Sequence, residues 1–459
     1  MRRFMAIATA AVLMISAGPA LAQTPTPTPT PTGQDGGDDD LVIDLEGGRA
    51  SALPIIIPVM PTNAVANTAA GPTDVLGRQL AAIIDDDLRN TGLFKTVGPN
   101  AARPIGYSEV NNPDYGSWDT YASQALVQGY VRANGDGTLT IGCYVYDVAS
   151  RRQLIREGFV VRPSEWRRAA HKCADAIYTR LTGDGPYFDS QIVYISETGP
   201  KNRRIKRLSI MDQDGANHQF LTNGQRIVLT PHLSPDQNSI VFMSYENRRP
   251  AIYIYDRASR QQRMVLGSES LNLSFAPRFS PDGRWILFSM AKAGNTDLYR
   301  VSASGGTPQQ LTNSPGIDTG GSYSPDGSKI VFESDRGGTQ QLYVMDANGG
   351  NQHRISFGGG RYATPAWSPR GDLIAYTRTG GGAFRIGVMS PSGGGERILT
   401  ESWGDEGPSW APNGRVLMFF RSASGSGRPD LWSVDLNGNS RKIPTPLDGS
   451  DPSWGPIRP

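Results

Sequence analysis

Tyr323-Ser324-Pro325-Asp326-Gly327-Ser328-Lys329-Ile330-Val331-Phe332 reads as a tight turn running into a β-strand. Pro fixes φ, Gly accepts positive φ, and β-branched and aromatic residues favour an extended, half-buried chain. The same pattern returns as Phe279-Ser280-Pro281-Asp282-Gly283, Trp367-Ser368-Pro369-Arg370-Gly371 and Trp410-Ala411-Pro412-Asn413-Gly414. His232-Leu233-Ser234-Pro235-Asp236 precedes these copies and Trp454-Gly455-Pro456 follows them. The prolines at 235, 281, 325, 369, 412 and 456 are spaced by 46, 44, 44, 43 and 44 residues. A period of that size corresponds to one four-stranded propeller blade.

Each period has the interior that a blade needs. A second strand such as residues 239–244 or 285–290 follows the turn, and a third such as 342–346 follows a polar or Gly-rich loop. A turn such as Ala347-Asn348-Gly349-Gly350 then leads to a short last strand ending at Ile355-Ser356. At the front, residues 191–196, 207–212 and 218–222 supply three strands of a blade without its Ser-Pro strand, and Pro452–Pro456 supplies such a strand without a blade. The two halves complete each other, so residues 190–459 are expected to form a six-bladed β-propeller closed by its C-terminal strand, leaving no free ring edge.

Before the repeats, residues 41–187 have a mixed α/β pattern, expected to form an N-terminal domain. Leu53 to Met60 is a buried-strand candidate, and Thr73 is expected to cap a helix with Leu76, Leu80, Ile83, Ile84 and Leu88 on one face, ended by Gly92. Strands at 125–132, 138–147 and 154–161 follow, the first two joined by Asn134-Gly135-Asp136-Gly137. Ser164 opens a second helix that Gly183 ends. Cys143 and Cys173 point toward the same sheet–helix core; they are either two buried thiols, the plainer reading, or a disulfide, which an oxidising compartment permits.

The first 22 residues read as a signal peptide: Arg2 and Arg3, an apolar run from Phe4 to Ser16, then Ala20-Leu21-Ala22 as a cleavage site. Gln23 stands where a lipoprotein would carry Cys, and the apolar run is too short to cross a bilayer. Residues 23–40, Thr-Pro repeats followed by Gly and Asp, are expected to be a disordered leader. Periplasmic localisation without membrane insertion follows from this reading.

The 459 residues carry 54 Gly and 34 Pro, as a turn-rich chain should, and a formal charge of +2. Without Arg2 and Arg3 the basic and acidic residues balance at 43 each, which gives no field to gather nucleic acid. His171, His218, His232 and His353 are scattered, and no nucleophile elbow or phosphate loop occurs, so no enzyme activity, cofactor or metal is expected. Asp236, Asp282 and Asp326 read as turn residues rather than calcium ligands. One disc face gathers Arg248, Arg249, Arg336 and Arg378 in its loops, which suits a partner with a negative surface.

Leu41-Val42-Ile43-Asp44, Pro54-Ile55-Ile56-Ile57-Pro58, Met211-Asp212-Gln213-Asp214-Gly215 and the Ser-Pro-Asp-Gly blades, in this order behind a signal peptide, resemble the TolB family of the Tol–Pal envelope system. The resemblance implies a monomeric, non-enzymatic linker between TolA and the peptidoglycan-associated lipoprotein Pal, with possible contacts to other Tol–Pal components. Its role would be outer-membrane integrity and constriction at cell division. The family's Pal-facing pattern falls on Ala276 and Thr319, with Leu273 where some relatives carry histidine. Leu41, Val42, Ile43, Asp44 and Leu45 correspond to the segment offered to TolA as an added strand, here behind a Thr-Pro leader. Two other classes remain: the propeller of a hydrolase or lyase, which needs clustered His and acids, and a carbohydrate-binding propeller, which needs exposed aromatics, for which Phe275 and Trp403 are the candidates.

Overall fold

A computed structural model describes residues 41, 43, 52–246, 249–267, 272–422 and 427–459, all within one compact unit, Leu41–Pro459. The signal peptide and leader, together with Val42, Asp44, Leu45 and Arg248, lie outside the described residues.

The N-terminal region is a five-stranded sheet ordered 94–97, 53–56, 125–133, 139–147, 153–161. Leu53–Ile56 is paired in parallel with Phe94–Val97 and Ala125–Leu126, and burial on both faces explains its continuous apolar run. The expected strand to Met60 stops early as a ladder, although Ile57 still donates its amide to Val97 O at 2.9 Å. Helix Thr73–Arg89 buries Leu76, Leu80, Ile84 and Leu88 as the period requires. Thr73 is its first residue rather than its cap: Pro72 precedes it, and the Thr73 hydroxyl accepts the Ala66 amide at 3.0 Å. Helix Trp166–Thr182 follows a short turn at Pro163–Glu165 and ends at Gly183, whose φ of 73° is the left-handed stop that Gly permits. Cys143 on the sheet and Cys173 on this helix form a disulfide, Cα–Cα 5.8 Å, so the plainer reading of two thiols is corrected. Strand and helix spacing could not decide between two buried sulfurs in contact and two joined.

Six four-stranded sheets follow. Blade 1 comprises 190–198, 205–212 and 219–220, with Asp448–Ile457 paired antiparallel to Ser190–Thr198 as its innermost strand. Blades 2 to 6 begin with inner strands Val228–Leu233, Leu273–Phe279, Asp318–Tyr323, Arg361–Trp367 and Asp405–Trp410. In blades 2, 3 and 4 a Phe on the second strand stacks against a Tyr on the third, Phe242–Tyr253, Phe288–Tyr299 and Phe332–Tyr343, at centroid distances of 5.9, 6.0 and 5.8 Å. The Ser-Pro-Asp-Gly turn closes on itself: Ser280 and Ser324 hydroxyls donate to Asp282 and Asp326, and the carboxylates accept the amides two residues on. These aspartates therefore act as turn residues.

Between the two regions the apolar core is continuous. Leu76, Cys173, Leu181, Tyr187 and Phe188 belong to the same buried cluster as Ile192, Met418, Leu431 and Trp454 of the propeller. Charge pairs ring this core. Asp184 accepts Arg370 of blade 5 at 3.1 Å and Arg415 of blade 6 at 2.9 Å, and Asp189 accepts Arg168 at 3.0 Å and Arg458 at 2.7 Å. The N-terminal region thus covers the disc face that carries the Ser-Pro turns.

Candidate functional site: the far face of the disc

The strands alternate direction, so the loops into the inner strands and the hairpins between second and third strands emerge on the face away from the N-terminal region. They are laced together there. Tyr245 donates its amide to Ile227 O at 3.0 Å, Ile317 to the Asp335 carboxylate at 2.7 Å, and Phe384 to Trp403 O at 2.8 Å. This lacing fixes loops that expose Ile227, Leu273, Ile317, Phe357 and Trp403. Phe357 is 73% exposed and Trp403 47%, one large apolar side chain on the way into each of blades 2 to 6. Isolated exposed apolar residues need no explanation, but here one recurs at the entry to each of five blades along one rim, which makes that rim the candidate interaction surface. Trp403 was foreseeable; Ile227 and Ile317 keep the period with Leu273, 46 and 44 residues apart, but no motif marks them, and Phe357 falls outside that period.

Inside this rim each inner strand carries a bulge. Thr230, Ala276, Gly320, Thr364, Gly407 and Asp451 all have positive φ, between 46° and 68°, and the strand register shifts across every one. Their spacing matches that of the Ser-Pro prolines. Five of the six precede a proline, Pro231, Pro277, Pro365, Pro408 and Pro452. This second proline, four residues before each Ser-Pro proline, was the available sequence signal for the bulge. Four of the six positions are not Gly, so a left-handed backbone is held at a cost of order 1–3 kcal/mol each by the surrounding ladder.

Ala276 and Thr319 therefore lie on adjacent inner strands, at the channel wall rather than in the exposed loops. The Thr319 hydroxyl donates to Glu333 at 2.5 Å, and the same carboxylate accepts the Thr364 amide at 2.9 Å. Burial pushes the Glu333 carboxyl up and draws the Arg278 guanidinium down to about 10, each opposed by the charge of the other. On the inner strands of blades 1 and 2, burial raises Asp451, and burial together with the Arg278 charge lowers His232, whose Nδ1 lies 2.9 Å from the Ser453 hydroxyl.

The arginines behave differently from a free basic patch. Arg336 pairs with the buried Asp318 at 2.7 Å and donates to Gln352 at 2.6 Å, while its guanidinium lies over Phe332 and Tyr343. Arg378 pairs with Glu396 at 3.2 Å and donates to Gly359 O at 3.0 Å. Both tie parts of their own blades together, which spends much of their charge locally. Arg249 is exposed at the blade 2 hairpin.

At the opposite end of the molecule Leu41 packs against the N-terminal core and Ile43 is buried in it, with the Ile43 amide donating to Leu181 O at 2.6 Å at the end of helix Trp166–Thr182. Neither residue is paired in a strand ladder. Of this segment, the two described residues lie outside the sheet and rest on the core and the end of the helix.

The sequence profile of the TolB amino-terminal domain matches residues 41–154, and that of the TolB beta propeller domain matches residues 178–458. The chain is 58% identical over 453 residues to the Tol-Pal system protein TolB of Zymomonas mobilis subsp. mobilis, covering 98% of each. It is 61% identical over 420 residues to the Tol-Pal system protein TolB of Rhizorhabdus wittichii, covering 91% of this chain and 95% of that one. Among solved structures, the crystal structure of TolB from Acinetobacter baumannii superposes with a TM-score of 0.76 at 29% identity, over 88% of this chain and 97% of that one.

Proposed function

Because the chain belongs to the TolB family of Tol-Pal system proteins, we propose that it is a non-enzymatic periplasmic linker of that system, joining Pal on the far disc face to TolA through Leu41–Leu45. Its role in that reading is to maintain the outer membrane and its constriction at division. The observation that carries the proposal is the separation of the two surfaces. The exposed rim of Ile227, Leu273, Ile317, Phe357 and Trp403, surrounding Ala276 and Thr319, faces away from the N-terminal region on which Leu41 and Ile43 rest.

Apolar contact at the rim supplies the affinity for Pal in this reading, since Arg336 and Arg378 are engaged within their blades. Exposed Phe357 and Trp403 also meet the requirement of a carbohydrate-binding propeller. Ile227, Leu273 and Ile317 beside them offer no hydrogen bond to a sugar, and this favours a protein surface. For TolA, the Ile43 amide leaves Leu181 O and the extended segment adds to a sheet edge of the partner.

The test is capture of Pal and TolA by the mature protein. Ile317→Asp with Trp403→Asp should abolish Pal capture and leave TolA capture intact, because both side chains are exposed and the fold does not need them. Ile43→Pro removes the donated amide and should do the reverse. Unchanged Pal capture by the rim variant would move the site off this face, and TolA capture by Ile43→Pro would remove the segment from the interface.

A further inference from the structure

We propose that the waist of the propeller channel binds the carboxylate of a small organic acid, with Arg278 as its counter-ion and the hydroxyls of Ser322 and Ser409 as further donors. A cavity of about 420 Å³ occupies the channel on the side of the Ser-Pro turns, lined by residues of the propeller alone. That volume is in the range of small-molecule sites and exceeds what a single ion needs.

The inner strands place one residue each at the waist, three before every Ser-Pro proline: His232, Arg278, Ser322, Ala366, Ser409 and Ser453. Burial and the neighbouring Arg278 charge hold the His232 imidazole well below its ordinary value, so it is neutral. Five blades thus close the ring with an uncharged residue here, and closure does not require the guanidinium of the sixth. Among the described residues Arg278 is the one charged side chain lining the cavity, and it makes no hydrogen bond or ion pair within the protein. The charge of Glu333 reaches it from outside the cavity lining, while the Glu333 oxygens accept the Thr319 hydroxyl and the Thr364 amide. A buried charge without a bonded partner is costly, and burial accordingly draws this guanidinium down to about 10. An anion in the cavity would remove that cost.

The hydroxyls around Arg278 have donors to spare. Ser322 Oγ accepts the Trp367 amide at 3.1 Å and Ser409 Oγ accepts the Trp454 amide at 2.9 Å, each from the inner strand of the next blade. Each hydroxyl keeps its own proton, and among the described residues neither has an acceptor for it. A guanidinium is a donor-only fork whose geometry matches a carboxylate. No Asp or Glu lines the cavity to compete for these donors or to hold a cation in place of the anion. Beyond the waist the six Ser-Pro prolines line the cavity with Phe279 and Trp410, an apolar wall for the carbon body of the acid.

The experiment titrates the mature protein with benzoate and, separately, with inorganic phosphate, each at fixed ionic strength against chloride, and reads calorimetric heat and melting temperature. Benzoate should bind at one equivalent and raise the melting temperature. Arg278→Gln should bind it about 10–100-fold more weakly. Arg278→Lys, which keeps the charge and loses the fork, should fall between the two. Without benzoate, Arg278→Gln should melt close to the wild type, because the side chain has no bond to lose. A marked drop there would assign Arg278 to a structural pairing with Glu333 and overturn the proposal. So would benzoate binding that the substitution leaves unchanged, no benzoate binding by the wild type, or uptake of phosphate alone, which would make the waist an inorganic-ion site.

Discussion

The N-terminal region is held by devices used once, the propeller by devices that recur from blade to blade. In the first, one disulfide joins sheet to helix and one carboxylate, Asp175, accepts three successive backbone amides, those of Tyr187, Phe188 and Asp189. In the second, the same stacked pair, closed turn and bulge recur along the chain, so no single copy is indispensable except where the ring must close. Vulnerability is therefore concentrated in different ways. The unique region depends on its staple, and the repeated region depends on its last strand.

Removing Ser450–Pro459 attacks the comparison at its strongest point. It strips the ladder from Ser190–Thr198, deletes Trp454 from the shared core with its indole bond to Ser190 at 2.8 Å, and frees Asp189 from Arg458. The expected outcome is loss of cooperative folding of both regions, read by urea unfolding. A truncated chain melting like the intact one would refute ring closure as the source of stability.

The disulfide is the next lever. It closes 30 residues of sequence, which by chain entropy corresponds to about 3–4 kcal/mol. Cys143→Ala with Cys173→Ala should lower stability by that order. Because the core runs through the junction, a single transition should shift as a whole; a split into two transitions would show that the regions are energetically separate.

The smallest effect concerns the turns. Hydrogen bonds from the Ser280 and Ser324 hydroxyls hold the Asp282 and Asp326 carboxyls down at about 2. A depressed carboxyl contributes stability above its unfolded value near 4, and that contribution is lost as pH falls through about 2. The double variant Asp282→Asn/Asp326→Asn should therefore differ most from the wild type above pH 4 and converge with it by about pH 2. Parallel curves across that window would show that the turn charges contribute nothing. Both groups are exposed, so only a small shift in midpoint is expected.

Legibility followed repetition. The Pro325 turn could be read because five other turns confirmed it, and blade 1 could be completed from Pro452–Pro456 because its missing strand was defined by the others. Phe94–Val97 escaped notice because four residues with no repeat and no alternation carry little signal, and Thr73 was taken for a cap because its hydroxyl partner, the Ala66 amide, is fixed by a loop rather than by the helix. On the far face the sequence pointed to arginine, while the structure directs Arg336 to Asp318 and Arg378 to Glu396 and exposes Phe357 instead.

The amino-acid sequence by itself determined the six-bladed ring, its closure by the C-terminal strand and the α/β region ahead of it, because periodicity and turn chemistry are local properties that one chain repeats aloud. Only the tertiary structure decided that Cys143 and Cys173 are bonded, that Arg278 of blade 3 and the Thr364 amide of blade 5 share Glu333 of blade 4, and that His171 meets Asp87 and Asp214 at the junction. Those pairings join residues far apart in sequence. Their energies depend on distance and burial, which no local pattern encodes.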